Sequence, residues 1–192
     1  MLEQRPGDER VSGEEQDSGH SPASGELALL VGVQRVLARP AAVKAARGLS
    51  HFGEHSAGWF ALGLAGAAFD SARRKEWLTA AAGAVGAHAA SIAVKRVVRR
   101  RRPEHPDVTV GVGTPSRLSF PSSHATSTTA AAVLYSGLIG RNLVPVLVPP
   151  MLVSRLVLGV HYPTDVLAGA ALGGAVGGIL RRRLTSRKRT RR

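Results

Sequence analysis

Between Ser56 and Leu180 the chain passes through five stretches that carry no charged residue or only one: residues 56–69, 77–94, 118–140, 142–164, where Arg155 stands alone, and 166–180. Crossing about 30 Å of hydrocarbon takes roughly 20 helical residues. The second, third and fourth stretches reach that length, and the first and fifth reach it by borrowing neighbours. Their residues are Ala and Gly more than Leu and Phe, with small residues recurring along 58–66, 80–90 and 168–178. That spacing lets membrane helices approach closely. A soluble helical bundle would carry charges on its outer faces, and these stretches offer none. The pattern predicts an all-α integral membrane helical bundle of about five spans.

The flanks differ sharply from this interior. Six of the 13 acids, Glu3, Asp8, Glu9, Glu14, Glu15 and Asp17, fall in the first 17 residues. Residues 1–24 hold too little apolar surface to offset the entropy of ordering them, which predicts a disordered acidic tail. No basic segment followed by an apolar run marks a secretory signal. Residues 25–180 form the predicted membrane domain. It opens with an amphipathic segment in which Leu27, Leu30, Val31, Val33, Val36 and Leu37 recur at helical spacing. Pro40 divides that segment into two short helices, and Arg35, Arg39, Lys44 and Arg47 suit an interfacial position better than a span. Residues 181–192 form a basic C-terminal tail with eight positive charges and no acid.

The net charge of +13 and a mean hydropathy near zero would suit a soluble basic protein bound to nucleic acid. Only eight aromatic residues are available, and several lie in the apolar stretches, so base stacking finds little support. The predicted partners are a membrane and its anionic headgroups, not nucleic acid. With no cysteine, disulfides, thiolate metal ligands and a catalytic thiol are impossible.

Three clusters carry chemistry. Lys95, Arg102 and Pro103 follow the pattern K-x6-R-P. Seven residues make two helical turns, so the two cations share one face if the helix continues, with Pro103 marking its end. The plain alternative is a juxtamembrane basic run over 95–102 touching anionic lipid. The second cluster, Ser119-Phe120-Pro121-Ser122-Ser123-His124, precedes a helix-forming run. A serine there caps the helix, and the free N–H groups of its first turn make an anion site beside His124; a cap with a surface histidine is the plain alternative. The third is Ser154-Arg155, then His161 and Asp165, or S-R-x5-H-x3-D. A lone arginine within a span is costly to bury and so points to function. Asp165 is the only carboxylate in residues 108–192. An acid beside a histidine holds the ring and fixes which nitrogen carries the proton, although an acid in a helix's first turn also favours the dipole.

In this order and spacing the three clusters resemble the signature of the type 2 phosphatidic acid phosphatase superfamily. The resemblance covers residues 95–165, with Ser123 standing where glycine is commoner. It implies that His161 is the nucleophile, transiently phosphorylated and oriented by Asp165. It further implies that His124 protonates the leaving oxygen, while Lys95, Arg102, Arg155, Ser122 and Ser123 surround the phosphate. The wider texture, His51-Phe52-Gly53-Glu54-His55 and the Arg99-Arg100-Arg101-Arg102 run, is similar to small actinobacterial phosphatases acting on decaprenylphosphoryl-5-phosphoribose. The shared motifs do not choose among polyprenyl-linked and glycerolipid phosphates such as undecaprenyl diphosphate, phosphatidic acid or phosphatidylglycerophosphate.

Three fixed cations and a helix N-terminus can neutralise a phosphoryl group without Mg²⁺, so no metal and no cofactor is expected. His88 reads as a packed residue or interhelical hydrogen-bond partner. His51, Glu54, His55 and His105 are placed at a substrate entrance. If every stretch spans, Lys95, His124 and His161 share one membrane face, and the basic tail lies on the other. The positive-inside rule then puts the tail in the cytoplasm and the site on the outer face of the plasma membrane.

Overall fold

The structure, a computed structural model, describes residues 22–189. Seven α-helices account for most of them: α1 (Pro22–Leu37), α2 (Pro40–Gly53), α3 (Ala57–Phe69), α4 (Arg74–Val98), α5 (Ser123–Ile139), α6 (Val144–Val157) and α7 (Pro163–Arg189). No strand occurs among the described residues, only an isolated bridge between Arg101 and Leu118. The all-α expectation therefore holds.

The α1–α2 break falls where proline dictates it. Arg39 is extended, with φ −81° and ψ 154°, as a residue preceding proline prefers, and Pro40 then opens α2 without needing a hydrogen-bonded N–H. Of the predicted acidic tail, Pro22, Ala23 and Ser24 belong to α1, and the remainder lies outside the described residues. At the other end α7 continues to Arg189, so the predicted basic tail begins as helix; residues 190–192 lie outside the described residues.

Two helices are long and apolar enough to cross a membrane by length and composition, 71–98 and 163–184, while Val144–Val157 is apolar but shorter. The stretches 118–140 and 142–164 do not yield full-length spans, because the site consumes their ends. The first supplies a 17-residue helix, about 25 Å long, since Leu118 to Ser122 form a loop and a cap. The second supplies 14 residues, since Gly159, at φ +66°, turns the chain into a segment carrying His161.

The bundle is organised around α5, which has 14 of its 17 residues buried and packs against α7, α4 and α6. Close approach to α7 depends on missing side chains. A Cβ on Gly169 would stand 2.5 Å from the Ser122 carbonyl oxygen, and one on Gly173 would overlap the Thr126 carbonyl. The small-residue spacing read from 168–178 is thus a helix contact. A core cluster of Trp59, Ala80, Ala84, Ala131, Leu134, Tyr135 and Leu138 joins α3, α4 and α5. Its two polar handles are satisfied: Trp59 Nε1 donates to Thr128 Oγ1 at 3.1 Å, and Tyr135 Oη to the Trp59 carbonyl at 2.6 Å.

Outward-facing apolar residues, among them Leu62, Leu64, Phe69, Leu78, Val85, Ile92, Val153, Leu167 and Ile179, give the bundle an apolar exterior that suits lipid. Helices α1 and α2 pack against α6, with α1 also touching α7 and α2 touching α5. Gln34 ties this arrangement together: its Nε2 donates to the Thr109 and Val157 carbonyls at 2.8 and 3.0 Å, and its Oε1 accepts from Thr109 N–H at 3.1 Å.

Candidate active site

The C-terminal half of α4, residues 113–118, the first turn of α5, the end of α6 with the turn after it, and the link between α2 and α3 surround a cavity of about 310 Å³. Lys95, Arg102, Ser123, His124, Arg155 and His161 all line it. Six of the eight predicted site residues therefore converge on one space from three separated segments. Arg73, in the α3–α4 connection, donates to the Leu138 carbonyl at 2.7 Å near the far end of α5, so the two basic ends are opposed as expected.

Lys95 and Arg102 meet by a different route from that expected. Helix α4 stops at Val98, and Arg99 takes a left-handed φ of 56° as its cap, four residues before Pro103. The loop then folds back, and Lys95 Nζ donates to the Ser119 and Leu118 carbonyls at 2.8 and 3.3 Å. Arg102 Nε donates to the Ser116 carbonyl at 2.8 Å, and its Nη1 to the Val160 carbonyl at 2.6 Å. Arg155, only 2% exposed, reaches Ser50 Oγ at 2.8 Å through Nη1, while its Nε has no partner. Among the described residues none of these three cations has a carboxylate within 4.0 Å. Three uncompensated cations around a cavity are poised for an anion, because burial makes an unpaired charge costly until a ligand supplies the counter-charge.

Ser122 and Ser123 divide the role assigned to them jointly. Ser122 is the N-cap of α5, its Oγ accepting from Ala125 N–H at 3.4 Å, and it does not line the cavity. Its N–H donates to the Asp165 carbonyl at 2.9 Å, so it fixes α7 against α5. Ser123 does line the cavity, and its hydroxyl stands 2.7 Å from that of Ser91 on α4.

His161 and Asp165 lie where the spacing placed them, one in the turn after α6 and the other in the first turn of α7. Nδ1 of His161 is 3.5 Å from Oδ2 of Asp165. The opposite nitrogen, Nε2, faces Arg102 Nη1 at 3.3 Å. A guanidinium has donors only, so Nε2 meets it with a lone pair and the ring proton belongs on Nδ1, toward Asp165. Burial, then the charges of Arg102, Arg155 and Lys95, hold the His161 imidazole well below its ordinary pKa, leaving it neutral and nucleophilic at neutral pH. Burial also lowers Arg102, to about 10, which keeps it charged there.

His124 stands at the start of α5 as expected, and its Nε2 is 3.0 Å from the Ser50 carbonyl, with Glu54 Oε2 at 3.8 Å. A carbonyl only accepts, so that nitrogen carries a proton. The close approach of α2 requires Gly53, where a Cβ would lie 2.7 Å from His124 Cδ2. Of the entrance residues, Glu54 and His55 line the cavity and His51 and His105 do not; His88, read as a packing residue, lines it too.

Arg100 was hidden in the basic run. Its Nη1 donates to Asp165 Oδ1 at 3.1 Å and to Thr164 Oγ1 at 2.7 Å, its Nη2 pairs with Glu26 of α1, and its guanidinium lies 4.0 Å over the Tyr162 ring. Asp165 Oδ2 accepts from Tyr162 N–H at 2.8 Å. Arg100 is not distinguishable by residue type or spacing from its neighbours in sequence, whereas Glu26 is the lone acid between Asp17 and Glu54. The available signals are that isolated acid and Asp165, which, alone among so many bases, needs a cationic partner.

Residues 76–189 match the PAP2 superfamily. A decaprenylphosphoryl-5-phosphoribose phosphatase of Mycolicibacterium smegmatis is 64% identical over 146 residues, covering 76% of this chain and 81% of the relative. One from Mycobacterium tuberculosis is 58% identical over 157 residues, covering 81% and 89%. Among solved structures, a transmembrane PAP2-type phosphatidylglycerolphosphate phosphatase from Bacillus subtilis superposes with a TM-score of 0.71 at 22% identity, over 84% of this chain and 86% of that one. Aquifex aeolicus LpxE gives 0.65 at 22% identity, over 80% and 93%. At that identity the two structures speak for the fold, a membrane phosphatase bundle. The cation-lined cavity, the His161–Asp165 pair and these matches together place the chain in the PAP2 superfamily, as a membrane phosphatase.

Proposed function

We propose that this enzyme removes the 5-phosphate of decaprenylphosphoryl-5-phosphoribose through a phosphohistidine intermediate on His161. The observation that carries the chemistry is the unprotonated Nε2 of His161 set among Arg102, Arg155 and Lys95. The relatives at 58–64% identity carry the substrate. The phosphate's non-bridging oxygens face the three cations, Ser123 and the N–H groups of the first turn of α5. His161 Nε2 attacks phosphorus in line, a P–N bond forms, and the P–O ester bond breaks as His124, protonated to the imidazolium in the presence of the phosphate's negative charge, gives a proton to the departing C5 oxygen. Water then attacks the phosphohistidine with His124 taking its proton, and the P–N bond breaks to release inorganic phosphate. Positioning and charge neutralisation suffice for this reaction class.

The site lies on the outer face of the plasma membrane, since the basic end of α7 is at the opposite end of the bundle and belongs in the cytoplasm. Because the chain has no cysteine, Asp107→Cys gives a single label site, which a membrane-impermeant maleimide should modify in intact cells.

The test is phosphate release from a panel of decaprenylphosphoryl-5-phosphoribose, undecaprenyl diphosphate, phosphatidic acid and phosphatidylglycerophosphate, with His161→Ala as control and EDTA in a parallel arm. The phosphoribosyl lipid should give the highest kcat/KM, unaffected by EDTA. Equal release by wild type and His161→Ala would overturn the mechanism. A Mg²⁺-reversible loss in EDTA would overturn the metal-free chemistry.

A further inference from the structure

We infer that Glu54, His55 and His88 form a subsite for the sugar hydroxyls of the substrate, selecting a phosphorylated pentose with a vicinal diol and rejecting a phosphate bonded directly to the one that is cleaved. This rests on the substrate reading above. A general acid must stand beside the oxygen it protonates, and the sugar hangs from that same oxygen. Whatever adjoins His124 away from the cations therefore faces the sugar. Glu54 Oε2 is 3.8 Å from His124 Nε2, Glu54 Oε1 is 3.4 Å from His55 Nδ1, and the His55 and His88 rings are 6.0 Å apart. All three residues line the cavity that holds Arg155 and His161. A single acid and two imidazoles thus line the cavity beside His124, offering the mixed donors and acceptors that hydroxyls need.

Two further observations concern the same place. The Nδ1 atom of His88 is buried without a hydrogen-bond partner, as is the Nε of Arg155 at the cationic end. Buried polar atoms are normally paired, and both of these residues border the one cavity, where a bound ligand would supply what the chain does not. His55 and Ser56 are consecutive non-glycine residues with left-handed φ of 49° and 64°. Such backbone persists where surrounding structure enforces it and is concentrated at ligand-contacting sites; here it sets Glu54 and His55 at the cavity between α2 and α3. The cavity, about 310 Å³, is at the small end of ligand sites, which run from roughly 300 Å³ upward. It suits a phosphosugar headgroup, with the polyprenyl chain outside.

The carboxylate of Glu54 also works against alternatives. A diphosphate carries its second anion on the leaving oxygen itself, next to His124, where Glu54 repels it, whereas the phosphodiester of the ribosyl lipid lies a pentose ring away; specificity is as much exclusion as attraction.

The test compares kcat/KM for decaprenylphosphoryl-5-phosphoribose, its 2-deoxyribose analogue and undecaprenyl diphosphate in mixed micelles, for wild type, His88→Phe, His88→Gln and Glu54→Gln. Wild type should prefer the ribosyl over the deoxyribosyl lipid by about tenfold or more, as loss of a hydrogen bond to a built site requires. His88→Phe, similar in size but unable to hydrogen-bond, should lower that ratio to about threefold or less, and His88→Gln should recover part of it. Glu54→Gln should raise undecaprenyl diphosphate hydrolysis about tenfold relative to the ribosyl lipid. These are ratios within one protein, so a general loss of folded enzyme does not move them. Wild type acting equally on both pentose lipids, or variants losing all three activities in parallel, would overturn the subsite alone. Wild type acting on neither pentose lipid while hydrolysing another lipid phosphate would overturn the substrate reading and the subsite with it.

Discussion

Arg100 donates to Oδ1 of Asp165 at 3.1 Å, so the carboxylate 3.5 Å from His161 Nδ1 is itself held by a cation that does not line the cavity. The same guanidinium binds Glu26 and Thr164 and stacks on Tyr162, a forked geometry that an ammonium does not reproduce. Arg100→Gln should lower kcat by about 10–100-fold, the range found for groups that orient a catalytic ligand. Arg100→Lys should recover less than half of the lost activation free energy. Unchanged kcat in Arg100→Gln would show that Tyr162 N–H alone secures Asp165.

The pH dependence follows from His161. Burial together with Arg102, Arg155 and Lys95 holds its pKa well below the usual histidine value, so the nucleophile stays unprotonated as pH falls through 6.5. Removing a cation favours the protonated ring. In Arg102→Gln the pKa of His161 should therefore rise, and the ratio of kcat/KM at pH 6 to that at pH 8 should fall relative to wild type. Parallel profiles for the two proteins, beyond a uniform loss from weaker phosphate binding, would contradict the assignment of Nε2 as the group meeting Arg102.

His124 should matter in proportion to the basicity of the leaving group. An alkoxide cannot leave unprotonated at a useful rate, whereas nitrophenolate can, and a positioned acid contributes about 10²–10⁴-fold. His124→Ala should thus lose at least tenfold more activity on the phosphoribosyl lipid than on 4-nitrophenyl phosphate, measured as initial rates at saturating substrate. Equal losses would mean that His124 serves mainly in breakdown of the phosphohistidine.

The site was more legible in the sequence than the bundle around it. His124, Arg155, His161 and Asp165 each stand out because an ionisable residue in or beside an apolar run has few reasons to be there, whereas Lys95 and Arg102 are marked within a basic run only by the K-x6-R-P pattern. Span lengths were harder to read, because charge and hydropathy do not register a Ser122 cap or a turn at Gly159. Both shorten a helix without adding a charge. Lys95 and Arg102 were paired correctly for a reason the fold does not use: the Arg99 cap ends α4, and the returning loop completes the pairing. Arg100 shows the same limit: an arginine inside a basic run resembles a lipid contact.

Glycine on α7 gives the packing a test in which two similar substitutions should act with opposite signs. Gly173 is buried against α5, where a Cβ would overlap the Thr126 carbonyl, while Gly178 on the same helix has nothing within 4 Å of its Cβ position. Alanine restores about 0.5–1 kcal/mol of helix propensity at either site. At Gly173 that gain is outweighed by forcing two backbones apart, since overpacking costs about 1–3 kcal/mol even where flexible side chains can yield. Gly178→Ala should leave the thermal midpoint in detergent unchanged or raise it by a few degrees. Gly173→Ala should lower it by roughly 2–6 °C and, because Thr126 lies one turn beyond the Ser122 cap that positions Ser123 and His124, should also lower kcat. Equal midpoints for the two variants would mean that α5 and α7 are not in backbone contact there.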